Sequence, residues 1–563
     1  MKRTRTLAAI GTAVILPALG YSGAARGANP IQIENAKTGT TAWQLPKTAA
    51  VELYGSQIST APGGEVDLHV STAYRYRIDV YRLGWYGGEG GRLLACLPRC
   101  GADVQGTTQP APGGGEPILA NWPVTDRLRT GKDWTSGYYL VEAVLTSGPD
   151  AGQAGWTFFV LRSAPGSSAS QILVQVPVNT WEAYNQWGGK SLYDFLPPRA
   201  HAVTFQRPFG DMSQSPLWWE YQLVRFLERE GYDVSYQADT DTDRDPASLL
   251  RHQLVIDAGH DEYWTLAMRI GFDRALAHGT NLFFAGSNDA YWHMEYRDDR
   301  QTLFTYKSLY DPNPNPGLKT AMFRAIGRPE SCLMGVQHTF FAVLHHELDY
   351  QVTGAGADDP WLAGTGLQAG DTIEGVVGRE HDKLSPYPPA CFHPGLTVLF
   401  HYDGGGVDQD GDAVKFTAPS GARVFASGAQ QFSWALDDWR SDGSLVPMTA
   451  VASGVPVDPR VQQFVRNALA DLLAPAAPQG LRVRVSGGVV HVGITRPKDN
   501  RVVGFASAVA FGGGPWHALC RGVSDCSARL PRGKGAVKVG VVQLSRWHRS
   551  STPAYAVLGR RQR

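Results

Sequence analysis

The stretch Gly259-His260-Asp261-Glu262-Tyr263 directly follows a short apolar run at 254–256, and a helical pattern continues after it to about residue 278. A buried strand that leads through a glycine into a helix is typical of an α/β domain, where ligand-binding side chains lie beyond the carboxyl ends of the strands. A histidine and two carboxylates occupy this elbow, with neither a Ser nor a Cys nucleophile among them. The stretch therefore predicts metal binding or general acid/base chemistry rather than covalent catalysis.

The two carboxylates also suit a purely structural role. Acidic residues stabilise the amino terminus of a helix because they accept hydrogen bonds from its free N–H groups and favour its dipole. Asp261 and Glu262 stand just before the helical pattern. Capping of that helix is therefore the alternative interpretation.

Alternating strand and helix patterns surround the elbow. Apolar strands are predicted at 172–176, 233–236, 254–256 and 281–285, and a helix between Ser215 and Gly231 separates the first two. Repeated strand-helix units predict a mostly parallel sheet covered by helices on both faces, similar to glutamine amidotransferases. A last helix that begins at Asp458-Pro459 closes this central α/β domain, which spans 170–474.

Regions with the strand period of two flank the α/β domain. Between 29 and 164 apolar residues alternate along the chain and glycine-rich turns interrupt them, a pattern typical of a β-sandwich. The segment 479–563 shows a similar alternation and predicts a small β-sandwich of fibronectin or immunoglobulin type. The predicted fold class is therefore multidomain, with a central α/β domain between two β-sandwiches.

The beginning of the chain and its cysteines predict export. Residues 1–28 contain basic residues, then an apolar run and then small residues, as in a cleavable secretory signal peptide. An even number of cysteines in an exported chain favours disulfides, and no CxxC pair supports a zinc site instead. We therefore expect a secreted or periplasmic protein. The expected disulfides are Cys96 with Cys100, Cys332 with Cys391, and Cys520 with Cys526.

Charge and hydropathy argue against two classes of partner. The chain has 52 Lys plus Arg and 52 Asp plus Glu, so it has no overall basic field that would attract nucleic acid. After the signal, no apolar run approaches the roughly 20 residues that a membrane span requires. We expect neither a nucleic-acid partner nor a membrane span.

Two further polar stretches follow predicted strands. Asn179-Thr180-Trp181-Glu182-Ala183-Tyr184-Asn185 comes after the first strand, and Gly286-Ser287-Asn288-Asp289-Ala290-Tyr291-Trp292 after the fourth. Both should lie near the elbow, because parallel strands end at one edge of a sheet. Two more stretches contain metal-ligand residue types, Asp408-x-Asp410-x-Asp412 and His345-His346-Glu347, but a solvated turn and a surface strand are the better interpretations.

These stretches, taken in order with several more, resemble the family of the N,N-dimethylformamidase large (beta) subunit and its exported bacterial branch. The resemblance extends over roughly 81–473. It rests on the stretches already quoted and on Tyr81-Arg82-Leu83-Gly84-Trp85-Tyr86-Gly87-Gly88, Ser136-Gly137-Tyr138-Tyr139, Tyr306-Lys307, Gly378-Arg379-Glu380-His381-Asp382 and Gly428-Ala429-Gln430-Gln431-Phe432-Ser433-Trp434.

The resemblance implies a mononuclear ferric iron held by two tyrosinates and one glutamate. Such hard oxygen ligands suit a hard cation. On this chain the resemblance implies Glu262 as the glutamate and Tyr184 and Tyr139 as the tyrosines. Tyr138, Tyr263 and Tyr291 are also candidates for the second tyrosine, and strand alternation lets only one of Tyr138 and Tyr139 face the site.

The same resemblance implies hydrolysis of a C–N amide bond, with His260 or Glu380 moving the proton and Asn288 and Lys307 orienting the substrate. Each also has a structural interpretation: Asn288 as a turn residue, Lys307 as a surface charge and Glu380 as an ion-pair partner. The substrate would be a small or extracellular amide, and a small partner subunit or a homo-oligomer is implied.

Two different functions also fit parts of the sequence. A non-catalytic, exported carbohydrate- or surface-binding protein would use aromatic loops such as the one around Trp85. A glycan hydrolase would use Asp261 and Glu262 together with Glu380 as paired carboxylates.

Overall fold

The computed structural model describes residues 27–194, 198–210, 216–341, 348–384, 388–406, 409–440, 455–496, 499, 501–547 and 549–558. Nearly all of the predicted signal peptide lies outside these residues, as do His345-His346-Glu347 and Asp408. The described residues form three successive regions, each with its own sheets.

The first region is built of two β-sheets. Their facing sides carry alternate apolar residues such as Val66, Leu68, Ile78 and Val141, which form one core. One sheet has the order β1-β3-β7, and the other β2-β9-β8-β4-β5 with β6 beside β4. The elements are α1 (Pro30–Asn35), β1 (Glu52–Gly55), β2 (Ser59–Thr60), β3 (Glu65–Ser71), β4 (Arg75–Leu83), β5 (Gly91–Leu97), β6 (Val104–Gln105), β7 (Asp126–Arg129), β8 (Gly137–Leu145) and β9 (Ala154–Leu161).

The central region begins with strand-helix units, as the sequence predicts. Its elements to the fourth long strand are β10 (Ile172–Val176), α2 (Val178–Tyr184), β11 (Ala202–Thr204), α3 (Pro216–Trp219), α4 (Tyr221–Arg229), β12 (Val234–Ala238), α5 (Asp239–Arg244), β13 (Leu254–Asp257), β14 (Tyr263–Trp264), α6 (Leu266–Ala277) and β15 (Asn281–Phe284). The helix predicted between Ser215 and Gly231 is divided at Glu220 into α3 and α4.

The second half of the central region is richer in strands. Its elements are β16 (Trp292–His293), β17 (Glu295–Arg297), β18 (Thr302–Phe304), α7 (Ser331–Met334), β19 (Gln337–Phe341), β20 (Tyr350–Val352), α8 (Gly354–Ala357), β21 (Thr372–Ile373), β22 (Glu380–Lys383), β23 (Thr397–Tyr402), β24 (Gly411–Thr417), β25 (Arg423–Ala426) and α9 (Pro459–Leu472). The predicted closing helix is α9, capped by the Asp458 side chain.

The prediction of a mostly parallel central sheet was wrong. The main sheet has the order β12-β10-β13-β15-β25-β24-β23-β20-β21. The pairs from β12 to β25 are parallel, whereas those from β25 to β21 are antiparallel. The protein is thus multidomain and mostly β, with a mixed central sheet. The parallel half is the part that positions the candidate site.

A buried ion pair joins the first region to the central one. The guanidinium of Arg82 in β4 donates from Nη2 to Glu228 Oε1 at 2.7 Å and from Nη1 to Glu228 Oε2 at 3.0 Å. Glu228 lies in α4, and both side chains have no exposed surface. Tyr138 and Leu140 of β8 also belong to the same apolar cluster as β10, so the outer face of the larger sheet packs against the central region.

The last region contains two antiparallel sheets that share a core of Val490, Phe505 and Val539. Their orders are β26-β27-β30 and β29-β28-β31-β32. Arg501 attaches the region to the central one, because its Nη1 donates to Thr280 Oγ1 at 2.8 Å. The strands are β26 (Arg482–Ser486), β27 (Val489–Gly493), β28 (Val502–Phe511), β29 (His517–Gly522), β30 (Asp525–Arg529), β31 (Val537–Ser545) and β32 (Ala554–Leu558).

The three predicted disulfides are confirmed. The pairs are Cys96–Cys100, Cys332–Cys391 and Cys520–Cys526, which leave no free cysteine among the described residues. Within those residues, no helix is both long and apolar enough to cross a membrane.

Candidate active site

The elbow after β13 is formed by glycines that let two loops touch. Gly259 has a φ of +71°, a conformation that side chains rarely adopt. A Cβ atom on Gly286, in the loop after β15, would lie only 1.3 Å from the carbonyl oxygen of Gly259. This close approach brings the loops after neighbouring parallel strands together, and His260 and Asn288 with them.

Neither carboxylate of the elbow caps the following helix. Helix α6 begins at Leu266, and its cap is Thr265, whose hydroxyl accepts a hydrogen bond from Met268 N. Asp261 and Glu262 are instead buried in place. The capping interpretation is therefore wrong for both residues.

Glu262 lies beside two tyrosines. The hydroxyl of Tyr184 donates to Glu262 Oε2 at 3.1 Å, and the hydroxyl of Tyr193 donates to the same oxygen at 2.5 Å. The two phenol rings lie 4.2 Å apart between centroids. Two phenol oxygens and one carboxylate thus converge on one buried point.

His260 lies between two carboxylates. Its Nε2 atom is 3.6 Å from Glu262 Oε2 and 3.4 Å from Glu380 Oε2. Its Nδ1 atom is 2.9 Å from the carbonyl oxygen of Ser287, which can only accept, so Nδ1 carries a proton and donates. The Nε2 atom is therefore the one that faces the site and can exchange a proton there.

Asn288 holds Glu380 in this arrangement. Its Nδ2 atom donates to Glu380 Oε2 at 2.8 Å, and the Ser287 hydroxyl donates to the main-chain oxygen of Glu380 at 2.6 Å. Strand β22 is thereby fixed against the loop after β15.

Lys307 contacts two tyrosines of the site. Its ammonium donates to the Tyr263 hydroxyl at 2.7 Å and lies 3.7 Å from the centre of the Tyr193 ring. Lys307 has a φ of +50° and Asn288 a φ of +58°. Left-handed backbone in residues other than glycine costs about 1–3 kcal/mol and concentrates at functional sites, so both residues are held in place by their surroundings.

The charges of the buried groups in the site shift one another's pKa values. Burial by itself would raise the pKa of Glu262, but the hydrogen bond and charge of His260 outweigh it and lower that pKa below its usual value. Burial opposes the charged form of His260, yet the charge of Glu380 and the contacts with Glu262 raise its pKa to about 10. Burial lowers the pKa of Lys307 to about 8. At neutral pH an anionic Glu262 therefore faces two cations.

The two tyrosines beside Glu262 are neutral when no cation is bound. Burial, and after it the charge of Glu262, raises the pKa of Tyr184 and of Tyr193 well above the usual value. Only a cation at the convergence of the three oxygens would favour the phenolate forms.

The predicted second tyrosine, Tyr139, lies elsewhere. It belongs to the core of the first region, where its ring stacks between Trp134 and Phe159, and its hydroxyl donates to Thr135 O at 2.7 Å. Because alternation turns Tyr139 toward that core, Tyr138 is the neighbour that faces the central region. The tyrosine beside Glu262 in the structure, together with Tyr184, is therefore Tyr193 and not Tyr139.

Tyr138, Tyr263 and Tyr291 make contacts different from those of Tyr193. Tyr138 packs against Trp181 and Tyr236, and Tyr263 is the partner of Lys307. Tyr291 stacks edge-on against His338. Tyr193 itself was missed, since the only sequence signal for it is its position in the loop that follows Tyr184.

Asp261 belongs to a separate acidic cluster below the elbow. Burial, followed by the charges of Asp239, Asp257 and Asp289, raises the pKa of Asp261 well above its usual value. Its main-chain N donates to Asp289 Oδ1 at 2.8 Å. The carboxyl of Asp261 therefore does not pair with those of Glu262 and Glu380, as a glycan hydrolase of the predicted kind would require.

Trp85 is partly buried and contacts two arginines. The guanidinium carbons of Arg225 and Arg229 lie 4.8 and 5.4 Å from the centre of its ring. At least part of the ring therefore packs against helix α4.

In the part of the chain that the structure describes, no group of three or more His, Cys, Asp or Glu side chains could hold a metal ion. A set made of one carboxylate and two phenols is of another kind, with only hard oxygen donors.

Comparisons with solved structures give weak likenesses. The chain is similar to the Clostridium perfringens spore cortex lytic enzyme SleM, with 22% identity and a TM-score of 0.14 over 16% of this chain and 30% of that one. It is similar to chitinase ChiA74 from Bacillus thuringiensis, with 9% identity and a TM-score of 0.15 over 57% of this chain and 61% of that one. The chain spans 30% of the spore enzyme. A search of curated proteins gave no match.

A family model gives a clear result. The family described as N,N-dimethylformamidase beta subunit-like, C-terminal, matches residues 77–444. That segment is more than half of the chain, and it contains His260, Glu262, Glu380 and both tyrosines that contact Glu262. The chain therefore belongs to the N,N-dimethylformamidase beta subunit-like family.

Proposed function

We propose that this protein is an exported hydrolase that uses a mononuclear ferric iron to cleave the C–N bond of a small or extracellular amide. The observation that carries the proposal is the convergence of the Tyr184 and Tyr193 hydroxyls on one oxygen of Glu262, at 3.1 and 2.5 Å. A buried set of oxygen donors suits a hard cation, so these residues fit a ferric ion. Tyr184, Tyr193 and Glu262 would hold it.

A bound ferric ion would supply Lewis acidity toward the carbonyl oxygen of the amide. The protein's own residues would perform the proton transfers. His260, whose pKa is raised to about 10, holds a proton at Nε2 that it can give to the departing amine. Glu380, 3.4 Å away, can accept a proton from the attacking water.

Asn288 and Lys307 would orient the reacting groups. Asn288 keeps the Glu380 carboxylate directed at His260 through its 2.8 Å hydrogen bond. The Lys307 ammonium, beside the Tyr193 ring, can stabilise negative charge that develops on the amide oxygen. Its pKa of about 8 leaves it mostly charged at neutral pH.

The disulfides support the exported location in the proposal. Disulfides persist in oxidising compartments, and all six cysteines of this chain are paired. An extracellular amide would then be the substrate, and a small partner subunit or a second copy of the chain remains part of the proposal.

Metal analysis tests the proposal directly. Protein purified after growth with iron should hold about one iron per chain and show a tyrosinate-to-iron absorption band. Glu262→Ala and Tyr184→Phe should lose most of the iron, whereas Glu295→Ala, at an exposed carboxylate, should keep it. Wild-type protein that stays colourless and iron-free after incubation with ferric salt would overturn the assignment.

A further inference from the structure

Strand β22 directs two carboxylates at one residue of the neighbouring loop. Glu380 and Asp382 are two residues apart in β22, so their side chains project from the same face of the strand. Glu380 Oε2 accepts from Asn288 Nδ2 at 2.8 Å, and Asp382 Oδ1 accepts from the main-chain N of Asn288 at 2.8 Å. Asn288 is thus held at its side chain and at its main chain by one strand.

The main chain of Asn288 is in a conformation that must be stabilised by contacts with other residues. Its φ of +58° lies in the left-handed region, and Ala290, two residues later, has a φ of +51°. Asparagine tolerates this region better than most residues, but alanine does not. The loop is therefore kept in this form by contacts from outside it.

Asp382 is itself well fixed. It is buried, and its main-chain N donates to Gly428 O at 2.9 Å. His338 lies opposite it on β19, with Nδ1 3.7 Å from Asp382 Oδ1. Because water does not compete at a buried carboxylate, its charge-assisted hydrogen bond to Asn288 is strong.

We propose that Asp382 is a positioning residue that keeps Asn288 in its left-handed conformation, so that the Asn288 amide holds Glu380 beside His260. The catalytic importance of this positioning rests on the proposed function. The side chain of Asp382 contacts Asn288 and His338 and does not contact Glu262. Its contribution is to the alignment of the Glu380 carboxylate.

Crystal structures of two variants test the positioning. In Asp382→Ala, Asn288 should leave the left-handed region and its Nδ2 should lie beyond hydrogen-bond distance of Glu380. In Asp382→Asn, an amide oxygen of the same shape remains as acceptor, so both features should be retained. An unchanged Asn288 in Asp382→Ala would overturn the proposal, as would the loss of both features in Asp382→Asn.

A thermal unfolding cycle covers the case in which Asp382→Ala does not crystallise or folds poorly. Glycine keeps the main-chain N–H that Asp382 accepts but adopts the left-handed region without strain, so in the Asn288→Gly background Asp382→Ala loses the hydrogen bond with no release of strain. In the wild type, relaxation of Asn288 should offset part of the loss, so Asp382→Ala should lower Tm more in the Asn288→Gly background than in the wild type. Equal losses of Tm in both backgrounds would contradict the proposal.

An activity assay distinguishes a failure of this proposal from a failure of the proposed function. With N,N-dimethylformamide as the probe, iron-loaded Asp382→Ala should lose about tenfold or more in kcat with little change in KM, and Asp382→Asn should regain most of it. If the wild type has neither iron nor activity, the proposed function fails, but the crystal structures and the unfolding cycle still decide the role of Asp382.

Discussion

The Nε2 atom of His260 lies 3.4 Å from the Oε2 atom of Glu380, although the two residues come from different halves of the central region. His260 follows parallel strand β13, whereas Glu380 begins β22, which pairs antiparallel with β19. A histidine that carries a proton beside a carboxylate that can accept one is the pair that the proposed hydrolysis of an amide would use.

Replacement of Glu380 by glutamine tests this pair. Glutamine keeps an oxygen for the Asn288 contact but cannot take a proton from water, so kcat toward N,N-dimethylformamide should fall by about 10² to 10⁴ with little change in KM. Iron content should stay at the wild-type level. The exposed residue Glu295 offers the matched control, and Glu295→Gln should change neither quantity. A kcat close to wild type in Glu380→Gln would remove Glu380 from the proton transfer.

The raised pKa of His260 predicts a pH-dependent stability of the metal-free protein. Its value of about 10 lies above the unfolded value of about 6.5, so its contribution is fully present below about pH 6.5 and is lost as pH rises through 10. Between pH 7 and 10 the free energy of unfolding should therefore fall by a few kcal/mol more in the wild type than in His260→Gln. Denaturant titrations across this range measure the difference. Parallel curves for the two proteins would refute the raised pKa.

Two tyrosine variants distinguish the structural assignment from the sequence-based one. Tyr193→Phe removes a hydroxyl that contacts Glu262, so iron content should drop and the tyrosinate absorption should weaken. Tyr139→Phe removes only the hydrogen bond to Thr135 O, so it should cost about 1 kcal/mol of stability and leave iron binding unchanged. The opposite result, with iron lost only in Tyr139→Phe, would make Tyr139 the second tyrosine ligand instead of Tyr193.

Strand order explains which parts of the site could be predicted. His260, Glu262 and Asn288 follow β13 and β15, which are neighbours in a parallel pairing, so their carboxyl ends must meet at one edge. Alternation also shows that only one of Tyr138 and Tyr139 faces the central region, but it cannot show which one. That choice depends on which face of β8 packs against β10 and its neighbours.

The position of Tyr193 and the mixed sheet depend on contacts that the sequence pattern does not indicate. Tyr193 lies in a loop with no periodic pattern, so its contact with Glu262 is recognised from the structure and not from the sequence. The strand-helix alternation stops after β15, while β25 returns to pair with β15 from far along the chain. The antiparallel strands β23 and β24 are not part of strand-helix units, so the mixed sheet could not be predicted from the strand-helix pattern.

The buried ion pair of Arg82 and Glu228 should contribute strongly to stability at the contact between the first region and the central region. Both side chains have no exposed surface, so Arg82→Met leaves the buried Glu228 carboxylate without its cationic partner and should cost about 3–5 kcal/mol. Arg127 pairs with Asp67 at 3.2 Å, but its side chain is 68% exposed. Arg127→Met should therefore cost no more than about 1 kcal/mol in the same denaturant titration. Similar losses in the two variants would show that the buried pair adds nothing beyond a surface contact.

The buried acidic cluster that contains Asp257 and Asp261 predicts a pH dependence opposite to that of a carboxylate whose pKa is lowered by a salt bridge. Neither oxygen of Asp257 receives a hydrogen bond from the described residues, apart from the Asp261 carboxyl when that group is protonated. Burial, followed by the charge of Asp289, raises the pKa of Asp257 well above its usual value. The unfolded chain therefore ionises Asp257 near pH 4 while the folded protein still resists ionisation, so this residue lowers stability as pH rises above about 4. Asp257→Asn keeps the shape without the charge, and its stability relative to the wild type should increase steadily from pH 5 to pH 8. A difference that stays constant over this range, or one that decreases, would mean that Asp257 is ionised in the folded protein and has a cationic partner.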